Sequence, residues 1–566
     1  MLEFLFLGYF LHRELIGKSS PIFMKSVTSS YSFPSKHHKE GKKLKKNSTI
    51  IFYSEEKFFG KWKIIMNRQH YTLILTNYAI RFVQNCRSPA IILPVFAFSI
   101  ISELSPTQLN VTTKLTYSFI ITFLDSYVDF IPSIKEAQNN HLKFTNGINQ
   151  YISSEPDHFL KANCKNSKAM CYLFHNYHAR YSKKDHTKKY SWFCRTYPPR
   201  DIIPGNKITI QFFRKSNEAR NRNRYPIICY TTPNGGVLLR ASQPSTQFDI
   251  SKLSIYAESE YLQKVYPNKV FDIYDLRPLT AAFGTLFKGG GFEDPILYNK
   301  NSKIRFCGIE NIFYVTKNYL DIKKLFDLTI NDHCLKYVIA KQRKSTYNLL
   351  LSQSNWTKQL YVILTTSKNI VKSLLKGNIA IIHCTDGWDR TSQAALLPQI
   401  ILNPASRTLD GFLTIFIREF SKRGHNLGLR NGYQTEINSF WNATLQSSRS
   451  PIVVQLLEIV YQLMEKNPTA FEFNSDFINF LMWHMYSQEF SEFMGDDYMI
   501  RSKKFNIGYP KIMNFIHDEV ELMQKYRNIH YEKQNKTLKI PNIDEYVELK
   551  TIHRCIFPAA CTGHLY

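Results

Sequence analysis

A cysteine and an arginine six positions apart, Cys384 and Arg390, bracket Thr385, Asp386, Gly387, Trp388 and Asp389. The apolar run 379–382 before them has the length and β-branched content of a buried strand, and 391–402 has a helical pattern. A tight loop entering a helix points several backbone N–H groups at one spot, and the helix N-terminus adds partial positive charge. An anion settles there. A cysteine in that field is favoured as the reactive thiolate, and Arg390 would close the cup with a planar, permanently charged fork matched to two phosphate oxygens. The chemistry is attack of sulfur on phosphorus; the bland alternative for Cys384 is a buried core thiol.

Spacing alone does not make the site, because Cys194 and Arg200 repeat it in CRTYPPR. There Pro198 and Pro199 remove two N–H groups and no glycine permits close backbone approach. That copy is rejected. The copy at Cys384 has Gly387 and no proline.

The elements that must hold the loop come from the second half of the chain. RYPIICYTT, VLLRAS, KVFDIYDL and KIRFCGI read as strands, and 356–377 places Trp356, Leu360, Ile363, Ile370, Val371, Leu374 and Leu375 on one helical face. Strands interleaved with helices mean an α/β domain, here a central, mostly parallel sheet flanked by helices. Mostly helical segments follow the loop, and 511–536 reads as one amphipathic helix. Upstream, 50–160 carries short β-rich segments, with 90–101 as a core strand, and predicts a small, mostly antiparallel β domain. Residues 136–190 read as a polar linker or insertion. The expected division is a basic tail over 1–48, a β domain over 49–165, an α/β domain holding the loop over 166–525 and a C-terminal tail over 526–566.

The chain has 566 residues, 44% of them hydrophobic, which allows sizeable cores. Its net charge of +28 calls for an anionic partner: nucleic acid, an acidic membrane surface or a phosphorylated substrate. The basic residues are scattered rather than set on one helix with aromatics between them, which argues against nucleic acid. Ten cysteines without a CxxC pair argue for a reducing compartment and against a zinc module. The apolar start carries Glu3 and no basic flank, so a signal peptide is not expected. No stretch reaches the roughly 20 apolar residues of a spanning helix, so membrane contact is expected to be peripheral. The lysines of 36–46 could help hold anionic lipid.

HCTDGWDRT (383–391) closely resembles the HCSDGWDRT signature of the myotubularin family of phosphoinositide 3-phosphatases. Other blocks agree in order: RYPIICYTTPNGGVLLRASQP (224–244), KVFDIYDLRP with KGGGFED (269–294), NPTAFEFN (467–474) and, upstream, TYPPRDIIP (196–204). LTNYAIRF (75–82) resembles a strand of the family's PH-GRAM domain. The resemblance covers about 50–520. It implies removal of the 3-phosphate from phosphatidylinositol 3-phosphate, and in many members from the 3,5-bisphosphate, at endosomal membranes. No metal or cofactor is implied. The partners it implies are a phosphoinositide in a membrane and a homo- or hetero-oligomer with a homologue.

Cys384 then forms a phosphocysteine, and Arg390 with the loop N–H groups stabilises the charge on the phosphoryl oxygens. Asp389 is the first candidate to protonate the leaving alkoxide and then to act as base toward water. Asp275, in YDLRP, is a second candidate acid, its bland role being to pair with a nearby cation. Thr385, Asp386, Gly387 and Trp388 are expected to contact substrate; two carboxylates beside a dianion are costly, so Asp386 is read as binding inositol hydroxyls. Lys288 of KGGG and Asn311 of GIENIFYV are further candidate contacts by resemblance. In GHNLGLR, Arg430 retains the second of two arginines that the family uses for additional phosphates, whereas Asn426 replaces the first. Thr385 stands where the signature has serine. Two rival readings remain: a tyrosine or dual-specificity protein phosphatase, and a catalytically silent lipid-binding adaptor.

Overall fold

The computed structural model describes, with short breaks, residues 56–148, 194–198, 218–331, 353–432 and 447–545. The basic stretch 1–48, residues 149–193, Arg200, the segment 433–446 and residues 546–566 lie outside them.

Alternation of buried and exposed side chains builds the first sheet. In β7 (Ser118–Phe123), Phe119, Ile121 and Phe123 face the core while Ser118 and Ile120 face out, the period-two pattern of a half-buried strand. With β1 (Phe58–Met66), β2 (Gln69–Thr76), β3 (Ala79–Val83), β4 (Ile91–Pro94), β5 (Phe98–Ser105) and β6 (Gln108–Thr113) it forms a seven-stranded antiparallel sheet, ordered β4-β3-β2-β1-β7-β6-β5. Two expectations change here. The stretch read as one core strand is two, because β4 ends at Pro94, which lacks the donor a continued ladder needs, and the chain turns before Phe98. The polar region read as linker from residue 136 begins as helix α1 (Phe130–Ile148), whose Phe130, Ile134 and Ala137 are fully buried. They recur at helical spacing, and Phe130 meets Trp62 edge-on at 5.0 Å.

The second sheet holds the signature loop. Its order is β11-β10-β12-β9-β8, from β8 (Ile227–Thr231), β9 (Val237–Ser242), β10 (Phe271–Asp275), β11 (Lys303–Phe306) and β12 (Ile379–Cys384). The sheet is mixed: β12 lies parallel to β9 and β10, β10 parallel to β11, and β8 antiparallel to β9. Every residue of β12 is buried, as a central strand covered on both faces requires. Helices α2 (Asp249–Val265), α3 (Leu279–Leu286), α4 (Ile312–Asn331), α5 (Asn355–Leu375) and α6 (Arg390–Leu402) connect these strands or leave them. Ser354 caps α5 by accepting from the Thr357 N–H. The predicted face of α5 is buried from Trp356 to Leu374, but Leu375, assigned to it, is 52% exposed because the helix ends there.

A helical layer completes the core: α7 (Leu409–Phe416) passing into a π-helical turn (Ile417–Lys422), α8 (Leu427–Asn431), α9 (Ile452–Lys466), α10 (Ser475–Ser487), α11 (Ile512–Asp518) and α12 (Val520–Lys525). The single helix expected near 511–536 is thus two short ones. The expected tail beginning at 526 is docked as far as 545: Leu538 N–H donates to Ile401 O at 3.1 Å, Arg407 reaches Lys536 O at 2.7 Å, and Tyr526 is buried. The antiparallel sheet packs on this layer through Tyr78 against Trp483 at 6.0 Å and through Arg449 Nη1 donating to Ser99 Oγ at 2.6 Å. Among the described residues no helix is long and apolar enough to cross a membrane.

Candidate active site

The loop 385–389 leaves β12 at Cys384 and enters α6 at Arg390, and three of its carbonyls are engaged from outside. Thr385 O accepts from Gln243 N–H and from Asn221 Nδ2, both at 3.2 Å. Gly387 O accepts from Arg224 Nη2 at 2.9 Å and Arg240 Nη2 at 2.8 Å. Trp388 O accepts from Ser392 Oγ at 2.7 Å and His425 Nδ1 at 3.0 Å. No peptide is cis among the described residues, so each N–H points opposite to the preceding C=O. With those three carbonyls turned outward, the N–H groups of Asp386, Trp388 and Asp389 turn inward. That is the anion cup.

Gly387 makes the turn feasible. Its φ is +75°, and a Cβ there would lie 2.5 Å from Ala241 O on β9, so a side chain meets both strain and backbone. Cys384 is buried at the loop's base, and its Sγ accepts from Thr391 Oγ1 at 3.2 Å. Arg390 donates through Nη1 to Ile309 O at 3.2 Å and through Nη2 to Thr385 Oγ1 at 3.3 Å. Both bonds hold the guanidinium beside the cup.

Several predicted residues have other occupations. Asp389 lies against Arg430, whose Nε reaches Oδ1 at 3.0 Å and Nη2 reaches Oδ2 at 2.8 Å; His425 Nδ1 is 3.2 Å from Oδ1. Burial works against the charge, but Arg430 and His425 overcome it and hold the carboxyl well below the usual carboxylate range. The first-choice acid is therefore ionised at rest, which suits a base. Arg430 is correspondingly engaged, with Nη1 on Ser448 O at 2.8 Å. Asp386 does not project freely into the cup: its Oδ1 accepts from Asn221 Nδ2 at 2.9 Å and Arg222 Nε at 3.3 Å on the outer rim. Trp388 sits beneath the Arg222 and Arg224 guanidinium groups, 5.6 and 5.9 Å from its ring.

Asp275 takes its bland role. It is fully buried and bound by Arg277 through Nε at 2.8 Å and Nη2 at 2.5 Å, so it stabilises a turn and is not placed as an acid. Asn311 Oδ1 accepts from the N–H groups of Phe313 and Tyr314, capping α4. Its carbonyl end is thereby committed. Lys288 is exposed at the head of the glycine run, while Gly291 O is held by Arg277 Nη2 at 2.9 Å. Cys194, rejected as a nucleophile, is buried near Thr196 at 3.3 Å, and Arg224 Nη1 bonds Thr196 Oγ1 at 2.5 Å, so that segment braces the loop's outer support.

The supporting groups were not singled out from sequence: Arg224, Arg240, His425, Glu419 and the buried chain Arg220–Glu293–His383. Arg240 lies in the middle of the buried strand VLLRAS, and a charge there is the signal that could have found it. Glu419 accepts from Arg240 Nη1 at 2.9 Å and Arg423 Nη1 at 2.9 Å. Glu293 lies 2.8 Å from His383 Nε2 and 2.5 Å from Arg220 Nη1, and these two neighbours overcome its burial and hold its carboxyl far below the usual range. Among the described residues no group of His, Cys, Asp or Glu could hold a metal ion.

A cysteine and an arginine flanking a loop of inward N–H groups, on a strand-to-helix turn, is the arrangement of the cysteine-dependent phosphatases. The model of the myotubularin-like phosphatase domain matches residues 136–502, and the chain belongs to that family. Similar proteins include "Myotubularin" of Xenopus laevis, 27% identical over 379 residues, covering 66% of this chain and 56% of that protein. Human "Phosphatidylinositol-3-phosphate phosphatase MTMR7" is 30% identical over 308 residues, 53% of this chain and 43% of its own length. "Phosphatidylinositol-3,5-bisphosphate 3-phosphatase MTMR3" of Caenorhabditis elegans is 30% identical over 309 residues, 53% of this chain and 29% of its own. The chain spans about half the length of the relatives it matches, or less.

Proposed function

We propose that this chain removes the 3-phosphate from phosphatidylinositol 3-phosphate, and from the 3,5-bisphosphate, through a phosphocysteine. The observation that carries the reading is the cup between Cys384 and Arg390, with the Thr385, Gly387 and Trp388 carbonyls engaged outside and the N–H groups that follow them turned inward toward an anion. Cys384 Sγ bonds to phosphorus as the bond to the inositol oxygen breaks. Arg390 and the inward N–H groups meet the charge on the phosphoryl oxygens, preorganised where that charge develops. Asp389, ionised at rest, takes a proton from water as water attacks the phosphocysteine, and the thiolate leaves. In the first step it serves as acid only after gaining a proton.

A lipid rather than a phosphoprotein substrate is supported by α3. This helix has no charged residue, and Leu279, Phe283 and Leu286, one stripe at helical spacing, are 50%, 50% and 39% exposed, with Phe287 at 95%. It follows β10, the neighbour of β12, at the strand end where the cup opens. An apolar stripe beside that opening suits the acyl region of a membrane. In this reading the antiparallel sheet is a PH-GRAM-like module, contact with endosomal or other phosphoinositide-bearing membranes is peripheral, and assembly with itself or a homologue follows the family.

Phosphate release is to be measured on a panel of phosphoinositides in vesicles and on phosphopeptides, with wild type and Cys384→Ser. Release from 3-phosphorylated lipids that disappears in Cys384→Ser is expected. Release from phosphotyrosine peptides but not these lipids, or equal turnover by the two proteins, overturns the reading.

A further inference from the structure

Asp389 is held by more than its arginine. His425 follows the π-helical turn, is fully buried, and directs Nδ1 at two acceptors at once, Trp388 O at 3.0 Å and Asp389 Oδ1 at 3.2 Å. Both neighbours accept only, so Nδ1 carries the hydrogen. The far nitrogen, Nε2, is buried without a hydrogen-bond partner among the described residues, and the ring packs edge-on against Phe420 at 5.0 Å. A buried polar atom left unpaired costs about 1–3 kcal/mol. An apolar side chain in this aromatic pocket would avoid that cost, so what holds an imidazole here is what Nδ1 does.

Counting the acceptor positions of Asp389 shows what that is. A carboxylate offers about four. Arg430 fills one on each oxygen, Nε on Oδ1 and Nη2 on Oδ2, and His425 fills the second on Oδ1. The free position is on Oδ2. The carboxylate begins α6 but caps none of its N–H groups, so Arg430 and His425 alone set its plane.

We propose that His425 is the positioning residue of the acid–base carboxylate: by occupying Oδ1 and tying it to the Trp388 carbonyl, it makes Oδ2 the oxygen that exchanges protons at the cup. The proposal rests on the phosphocysteine reading of Cys384. In the step it serves, a water oxygen bonds to phosphorus, the phosphorus–sulfur bond breaks with its electron pair returning to Cys384, and the water proton passes to Oδ2. The groups facing Asp389 are Arg430 and His425 from the segment after the π-turn; Asp496 and Asp386 act on the Arg430 charge rather than on the carboxylate itself.

The test uses 4-nitrophenyl phosphate, whose leaving group needs no acid, so that a burst reports phosphocysteine formation and the steady rate reports its hydrolysis. Asparagine places an amide N–H where Nδ1 lies, and glutamine places one nearer Nε2. In the full chain, His425→Ala and His425→Gln are expected to keep the burst and lose about tenfold in the steady rate, a fraction of what acid–base catalysis contributes. His425→Asn restores it. The acid limb of the steady rate moves to higher pH in the alanine variant, because a bond that favoured ionised Asp389 is gone. Burst and steady rate falling together in all three variants, or unchanged rates in all three, overturns the proposal. Should the alanine variant fail to fold, the asparagine–glutamine pair decides. The substrate is not a lipid, so failure on the lipid panel sinks the substrate reading and leaves this test standing.

Discussion

At the scale of single residues, Gly387 carries the most constraint. Its positive φ turns the loop, and Ala241 O leaves no room for a Cβ. Gly387→Ala therefore moves the peptide whose carbonyl Arg224 and Arg240 hold, and with it the inward N–H groups. We expect phosphatase activity to fall by at least about 100-fold, the scale of losing an oxyanion donor, with a stability loss of about 1–3 kcal/mol for the strained backbone. Steady-state kinetics beside urea denaturation check this; activity within a few-fold of wild type would show that the cup does not depend on the turn. Cys384 is served equally by a neighbour that sequence spacing left unremarked, Thr391, the second residue of α6.

At the scale of elements, α3 inverts the usual burial pattern, since of its eight residues only Ala282 is buried. Exposed apolar side chains of a folded protein contribute little to its stability, and a polar replacement changes it by no more than about 0.5 kcal/mol. Phe287→Ser, at the end of α3 and 95% exposed, is expected to leave the denaturation midpoint and the hydrolysis of 4-nitrophenyl phosphate unchanged while lowering turnover on phosphoinositide vesicles several-fold. Equal loss on the soluble and the vesicle substrates would show that α3 shapes the cup instead. The π-helical turn also matters as an element: it places Glu419 where Arg240, Arg418 and Arg423 converge, and His425 follows within three residues of its end.

At the scale of the whole molecule, the antiparallel sheet meets the helical layer across buried charge. Lys114 on the antiparallel sheet is buried, and desolvation, then repulsion by Arg449, lowers its pKa to about 7. The unfolded lysine keeps its proton to about 10.4. Between these values the unfolded chain binds more protons than the folded one, so this group makes stability rise with pH across that window, and its cost is full below pH 7. Lys114→Met is expected to raise the thermal midpoint by about 1–2 °C at pH 6, on the scale of about 1–2 kcal/mol, and to leave it nearly unchanged at pH 10. Calorimetry at the two values checks the sign; a larger gain at pH 10 would contradict it. Asp389, Glu293 and Glu419 act oppositely, since their depressed pKa values give stability that is present above the unfolded carboxylate range and lost as pH falls below it.

What the amino-acid sequence determined alone is local. The apolar run that became β12, the glycine of the loop and the helical face from Trp356 to Leu374 follow from side-chain volume, polarity and period, which act between neighbours in the chain. The identity of Cys384 and Arg390 as the pair, over Cys194 and Arg200, was legible for the same reason: glycine and free N–H groups against two prolines. Only the tertiary structure decided which charges meet. Arg430 is 41 positions from Asp389, and Arg224 is 163 from Gly387. That is why Asp389 read as an acid, Asp386 as a headgroup contact and Asp275 as a second acid, and why folding gave them other partners. A buried carboxylate takes its protonation state from whatever cation folding places beside it, and no spacing along the chain records that.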